Sequence, residues 1–282
     1  MAQKLTSAAI HDWCRDIAPG LEEVYSTSNA LAERTWSSPL RAGKSIEMLG
    51  LALLYRGASD LGVACSVPAL FRESPELFYL RNEIPLAFVG RVGNSEETDG
   101  IPIADRFLAA TTPKIVLEDS GSDWGIFREG YATHALWNFL GRSRPYDDRP
   151  DFVIARGSFD SKLEANVLTT SWSQGPAEMV VRLRAMNASR PQVVDYDWPS
   201  SVAPGIVGIM ECSSNKTRTH VDEQLIRYQG TFSVQDPNRL MFLTAGTQSA
   251  SAPSITAFVS NRDSLLQDLL PSTRLWLNSV LS

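Results

Sequence analysis

Two apolar runs, each with a single carboxylate at one end, constrain this chain more than any other feature. The first is Pro150-Asp151-Phe152-Val153-Ile154. The second is Ile206-Val207-Gly208-Ile209-Met210-Glu211-Cys212-Ser213. Short continuous apolar runs of this kind suit strands buried on both faces of a sheet. A carboxylate on such a strand is costly to bury without a partner, and two of them, one per strand, suit a divalent cation. A helix signal over Thr219 to Gln229 follows the second run, and another apolar run, Leu240 to Leu243, follows that helix. Taken singly, each carboxylate has a plainer reading. Pro-Asp is a frequent turn dipeptide, and Glu211 can mark the exposed end of a strand. The weight lies in their order along the chain.

The rest of the sequence divides unevenly in charge. The formal net charge is -6. Residues 1–127 hold 11 Lys+Arg against 17 Asp+Glu, which accounts for all of it, whereas residues 128–230 hold 12 against 12. Ten of those twelve cations are Arg, the side chain best shaped to meet a phosphate. Such a balance argues against an unspecific, strongly electrostatic nucleic-acid binder and leaves a local phosphate site open. Three cysteines, Cys14, Cys65 and Cys212, stand apart without CxxC spacing. That spacing favours a reducing, cytoplasmic setting over a disulfide framework. No run reaches the ~20 apolar residues of a membrane span, and Met1 to Asp16 has no signal-peptide core.

Periodicity places helices in the first part of the chain. Ile10, Trp13, Cys14 and Ile17 share one helical face, stopped by Pro19-Gly20. A second helix is expected over Leu21 to Arg34 and a third from Ser45 through Tyr55. Ile115-Val116-Leu117 reads as a strand or loop, and Gly93 to Gly100 as an exposed loop. Ser122 or Asp123 can cap a helix from Trp124 to Gly141, with Glu129 on the same stripe as Ala132, Leu136 and Leu140. Thr219 and Asp222 give a capping-box-like start to the later helix, whose buried stripe is Val221, Leu225 and Tyr228. Between Asp151 and Glu211, Leu163 to Ser171 alternates like a strand and Pro176 to Met186 like a helix. Set against the family named next, which this chain resembles, the segment 157–204 is an insertion in the core.

The succession carboxylate, strand, carboxylate, strand, helix, strand resembles the PD-(D/E)xK nuclease superfamily, the fold of many restriction endonucleases. Asp151 matches the Asp of the first half-motif and Glu211 the acidic residue of the second. The resemblance covers roughly Trp124 to Gly246. The family's Lys belongs two residues after Glu211, where this chain has Ser213. The resemblance implies an α/β fold, a restriction-endonuclease-like mixed sheet flanked by helices. It implies a core over 121–282 with the insertion inside it, and a mainly helical N-terminal region over 1–120 for recognition or oligomerisation.

It also implies the chemistry: a metal-dependent endonuclease hydrolysing DNA phosphodiester bonds, in restriction or defence. Mg2+, with Mn2+ as a substitute, would be held by Asp151, Glu211 and the backbone carbonyl of Cys212. Glu129 would hold a metal-bound water or a second cation. Ser213 cannot supply the missing charge. Lys216 either reaches back through a tight turn or stays solvated, and Gln224 either borders the metal water or is an ordinary polar helix residue. The expected partners are DNA and a second copy of the chain, since a two-fold dimer matches two antiparallel strands; no membrane is expected. The alternative is a nuclease-fold module that binds or assembles without catalysis.

Overall fold

A computed structural model describes residues 7–21, 42–73, 75, 78, 113–128, 150–156, 206–213, 218–232, 234, 236–244, 255–259 and 262–282. The helix expected over Leu21 to Arg34 (apart from Leu21), the loop Gly93 to Gly100 and the segments 163–171 and 176–186 lie outside them.

Among the described residues the chain is α/β, with seven strands in one mixed sheet in sequence order. They are β1 (Ala64–Ser66), β2 (Ile115–Asp119), β3 (Ser122–Arg128), β4 (Phe152–Arg156), β5 (Ile206–Ser213), β6 (Leu240–Thr244) and β7 (Ile255–Phe258). Strands β1 to β5 pair antiparallel, and β5–β6 and β6–β7 pair parallel. A parallel pair needs a crossover rather than a hairpin. Helix α4 (Arg218–Phe232) lies in that crossover between β5 and β6.

Side-chain alternation divides the core between the two sheet faces. Ile115, Leu117, Trp124, Ile126, Phe152, Ile154, Met210, Cys212, Met241 and Leu243 share one cluster. That cluster includes α1 (Ser7–Ile17), α2 (Ala42–Asp60) and the last helix, α5 (Leu270–Leu281). On the other face Ile209, Leu240 and Phe242 meet Val221, Leu225 and Tyr228 of α4. Helix α1 buries Ile10, Cys14 and Ile17 as its spacing requires, and a 3₁₀ turn at Pro19–Leu21 follows it. Helix α2 runs several residues past both expected ends. A short helix α3 (Ala69–Glu73) follows β1. Chain entry to α5 is through a single helical turn, Arg262–Ser264, and a π-helical turn, Leu265–Leu269.

One expected element is corrected. The helix from Trp124 is a strand as far as Arg128, its register fixed by Ile115↔Ile126 through Asp119↔Ser122. Ser120 (φ 48) and Gly121 (φ 85) make the two-residue turn between the paired ends. Two successive positive φ values are what a tight hairpin demands. Asp123 therefore sits in a strand instead of capping a helix, and Trp124, Ile126 and Phe127 follow their β preference. The boundary expected at residue 120 falls inside this hairpin, so the sheet runs across it. The remainder of the expected helix, Glu129 included, lies outside the described residues.

Candidate functional site

The strand directions bring one end of the sheet together. Lys114 precedes β2, Arg128 ends β3, Asp151 precedes β4, and Glu211 and Ser213 end β5 beside Thr244 of β6. The antiparallel register of β4 and β5 begins at Phe152↔Met210, and Asp151 is the bend residue just before it. Glu211 faces the α4 side, because Ile209 packs against α4 whereas Met210 and Cys212 join the other cluster.

Hydrogen bonds fix both carboxylates. Oδ2 of Asp151 accepts from the backbone N–H of Cys212 at 2.6 Å. Oε2 of Glu211 accepts from the Tyr228 hydroxyl at 3.2 Å, and that hydroxyl accepts from Nε2 of Gln224 at 3.3 Å. Glu211 is 1% exposed, so its carboxylate sits nearly closed off from water. Buried carboxylates persist where hydrogen bonds or a cation answer them. Tyr228 extends the expected apolar stripe of α4 and turns its one polar atom toward Glu211. Gln224 thus reaches the site through Tyr228.

The donor set suits a hard cation. Asp151, just before β4, and Glu211, near the end of β5, bring carboxylates to the same end of the sheet. Along an extended strand a residue's N–H and C=O project to the same side. Since the Cys212 N–H meets Asp151, the Cys212 carbonyl is also directed toward β4. Two carboxylates and a main-chain oxygen are the ligand types magnesium takes. Among the described residues no group of three His, Cys, Asp or Glu gathers in one place. Ser213 is buried at the position where the resemblance expects Lys, on the Glu211 row and paired with Thr244. Lys216 and Glu129 lie outside the described residues.

On the opposite face, sequence reasoning missed a buried ion pair. Arg128 Nη2 lies 2.7 Å and Nε 3.2 Å from Oε2 of Glu47 on α2. No local pattern links positions 81 residues apart. Lys114 is buried with Nζ 4.0 Å from the Phe71 ring centroid, a cation–π distance. Burial pushes the thiols of Cys14 and Cys65 up to about 12, so neither is a ready nucleophile at neutral pH.

Tyr228→Phe tests the Glu211 anchor. Removing the hydroxyl takes a donor from a carboxylate with almost no access to water, at an expected cost of about 1–3 kcal/mol. Urea denaturation checks it, and an unchanged midpoint would show that the hydroxyl contributes nothing to holding Glu211.

No protein-family model, curated protein or solved structure matches this chain. Among the described residues no helix is long and apolar enough to cross a membrane.

Proposed function

We propose that this chain is a metal-dependent endonuclease that hydrolyses DNA phosphodiester bonds, with a restriction-endonuclease-like core. The observation that carries the reading is the approach of Asp151, just before β4, to the end of β5, where its carboxylate accepts from the backbone N–H of Cys212, the residue after Glu211, at 2.6 Å. The order of elements adds support: Asp151 and β4, then β5 with Glu211, α4 and β6, the succession on which the sequence resemblance rests.

In this reading Asp151, Glu211 and the carbonyl of Cys212 would hold Mg2+, or Mn2+ in its place. Bound there, the cation offsets charge on the scissile phosphate and makes water a better nucleophile. The protein's part is to hold its ligands still. The Cys212 N–H orients Asp151, and the Gln224–Tyr228 pair orients Glu211. Ser213 brings no positive charge, so cleavage depends on the cation for electrostatic stabilisation more heavily than in a site with the usual Lys. A homodimer would place two such sites on the two strands of a duplex.

The test is plasmid cleavage in Mg2+ and then Mn2+ by the parent, Asp151→Asn and Glu211→Gln. Each amide keeps an acceptor for the bond its carboxylate now accepts and removes the charge, which separates ligation from folding. Both variants should lose at least about a hundredfold in rate, as expected when a charged group serving the transition state is lost. Variants that cut at the parental rate would sink the proposed ligands. A parent inert in both ions would favour the second reading, a nuclease-fold module without catalysis, for which Ser213 in place of Lys is the motivating observation.

A further inference from the structure

Helix α2 meets the sheet beside the two carboxylates, from the face opposite α4. The register aligns Arg128 of β3 with Phe152 of β4, and Phe152 with Met210 of β5, so the three form one row across the strands. The next residue outward is Asp151 at β4 and Glu211 on β5. Two residues of α2, about one turn apart, reach this row. Glu47 takes the Arg128 guanidinium at 2.7 Å. Gly50 lies against the other two members. A Cβ at residue 50 would stand 3.1 Å from Cε2 of Phe152, 3.3 Å from Sδ of Met210 and 3.0 Å from Sγ of Cys212. All three distances are shorter than ordinary contact, so the missing side chain is what lets the helix backbone come this near. Glycine weakens a helix interior, and the close approach is a physical reason for one in the middle of α2.

We propose that Gly50 is a positioning residue: through it α2 seats the ends of β4 and β5 so that the Asp151 carboxylate accepts from the Cys212 N–H. The side chains against Gly50 belong to the same short stretches of main chain as the site groups. Phe152 follows Asp151, Cys212 follows Glu211, and the Cys212 main chain carries the N–H that Asp151 accepts at 2.6 Å. Sγ of Cys212 is one bond from its Cβ and is packed in the core. A methyl at residue 50 therefore presses on the backbone of β5 and not on a side-chain tip that can swing aside. Hydrogen bonds weaken steeply as their geometry departs from ideal, so a small displacement of β5 against β4 is felt at Asp151. Its effect on hydrolysis rests on the nuclease reading given above. In that reading α2, from the region expected to serve recognition or oligomerisation, belongs to the frame of the site.

Gly50→Ala and Gly57→Ala separate this role from packing alone. Gly57 lies about two turns further along α2, where a Cβ would stand 3.0 Å from Cδ1 of Leu277 on α5, equally tight but against a helix and not the site strands. At either position the neighbours need to give by only a few tenths of an ångström, so both variants should fold. The readout is hydrogen exchange of the Cys212 amide, followed by NMR as a ratio to the amides of β6, which report opening of the sheet as a whole. Gly50→Ala should raise that ratio by about tenfold or more, the effect of weakening the bond that protects one amide. Gly57→Ala should leave it at the parent's value. Adding Cys212→Ala to Gly50→Ala removes the nearest atom without altering the main chain and should bring the ratio back toward the parent's. An unchanged ratio in Gly50→Ala, or an equal rise in Gly57→Ala, overturns the positioning role. So does a double variant whose amide exchanges as fast as that of Gly50→Ala. Plasmid cleavage in Mn2+ reads the consequence for hydrolysis: at saturating DNA Gly50→Ala should be slower by about tenfold or more, as misplaced groups are, and Gly57→Ala should match the parent. Parental cleavage by Gly50→Ala despite fast exchange overturns the link to hydrolysis. A parent that cuts nothing overturns the nuclease reading, and the exchange ratio still decides the role of Gly50.

Discussion

Arg128→Met is expected to lower the free energy of unfolding by about 3–5 kcal/mol, the usual effect of breaking a buried ion pair from one side. The guanidinium places two nitrogens on a single oxygen of Glu47, at 2.7 and 3.2 Å. The two side chains are 5% and 10% exposed, so water offers the abandoned carboxylate little compensation. Against a domain stability of about 5–15 kcal/mol, a loss of that size is severe. The pair joins α2 to the end of β3, and Arg128 is the register partner of Phe152, the residue after Asp151. Replacing both members, Glu47→Leu with Arg128→Met, should recover most of the loss, since a buried pair exchanged for apolar side chains of similar volume is often neutral. Guanidinium denaturation with a constant slope reads the change. A single variant within about 1 kcal/mol of the parent would show that other groups already satisfy Glu47.

The sequence was most legible where a periodic pattern coincides with burial. Strands β4, β5 and β6 and helix α4 lie where their apolar patterns put them, with α4 beginning at Arg218, one residue before the expected cap Thr219, and Val221, Leu225 and Tyr228 are its buried stripe. The expected helix from Trp124 is a strand because the Ser120-Gly121 turn outweighs a cap at Asp123. Three residues earlier, that turn had already committed the chain to a hairpin. Helix α5 carries the same kind of pattern. Leu269, Thr273, Trp276, Leu277 and Val280 recur at helical spacing, and all are buried. The site divides the same way. Asp151 and Glu211 were visible because each stands at one end of an apolar run. Tyr228, Thr244 and Glu47 were not, since a tyrosine on a stripe, a threonine ending a strand and a glutamate in a helix are all ordinary until the pairing of distant strands gives each a neighbour.

Trp276→Ala should cost about 3–5 kcal/mol, the range for removing a large aromatic side chain from a closed core. Trp276 is fully buried where α5 crosses β5. The contact is close because residue 208 is glycine. A Cβ there would stand 2.7 Å from Cγ2 of Val280 and 3.0 Å from Cζ2 of Trp276, inside ordinary contact distance. Gly208→Ala alone should thus destabilise by about 1–3 kcal/mol through overpacking. Combined with Trp276→Ala, the added methyl enters space the indole has left, so the double variant should be more stable than the sum of the single losses predicts. The indole supplies a second discriminating comparison. Its Nε1 is buried with no hydrogen-bond partner among the described residues, and a buried unpaired donor is itself destabilising by about 1–3 kcal/mol. Trp276→Phe removes that donor while keeping most of the aromatic surface, so it should cost far less than Trp276→Ala. Thermal and denaturant unfolding of the four variants measure these differences. If Trp276→Phe proved as damaging as Trp276→Ala, the indole nitrogen must be satisfied in solution, and the α5–β5 contact would owe its strength to that bond as well as to packing.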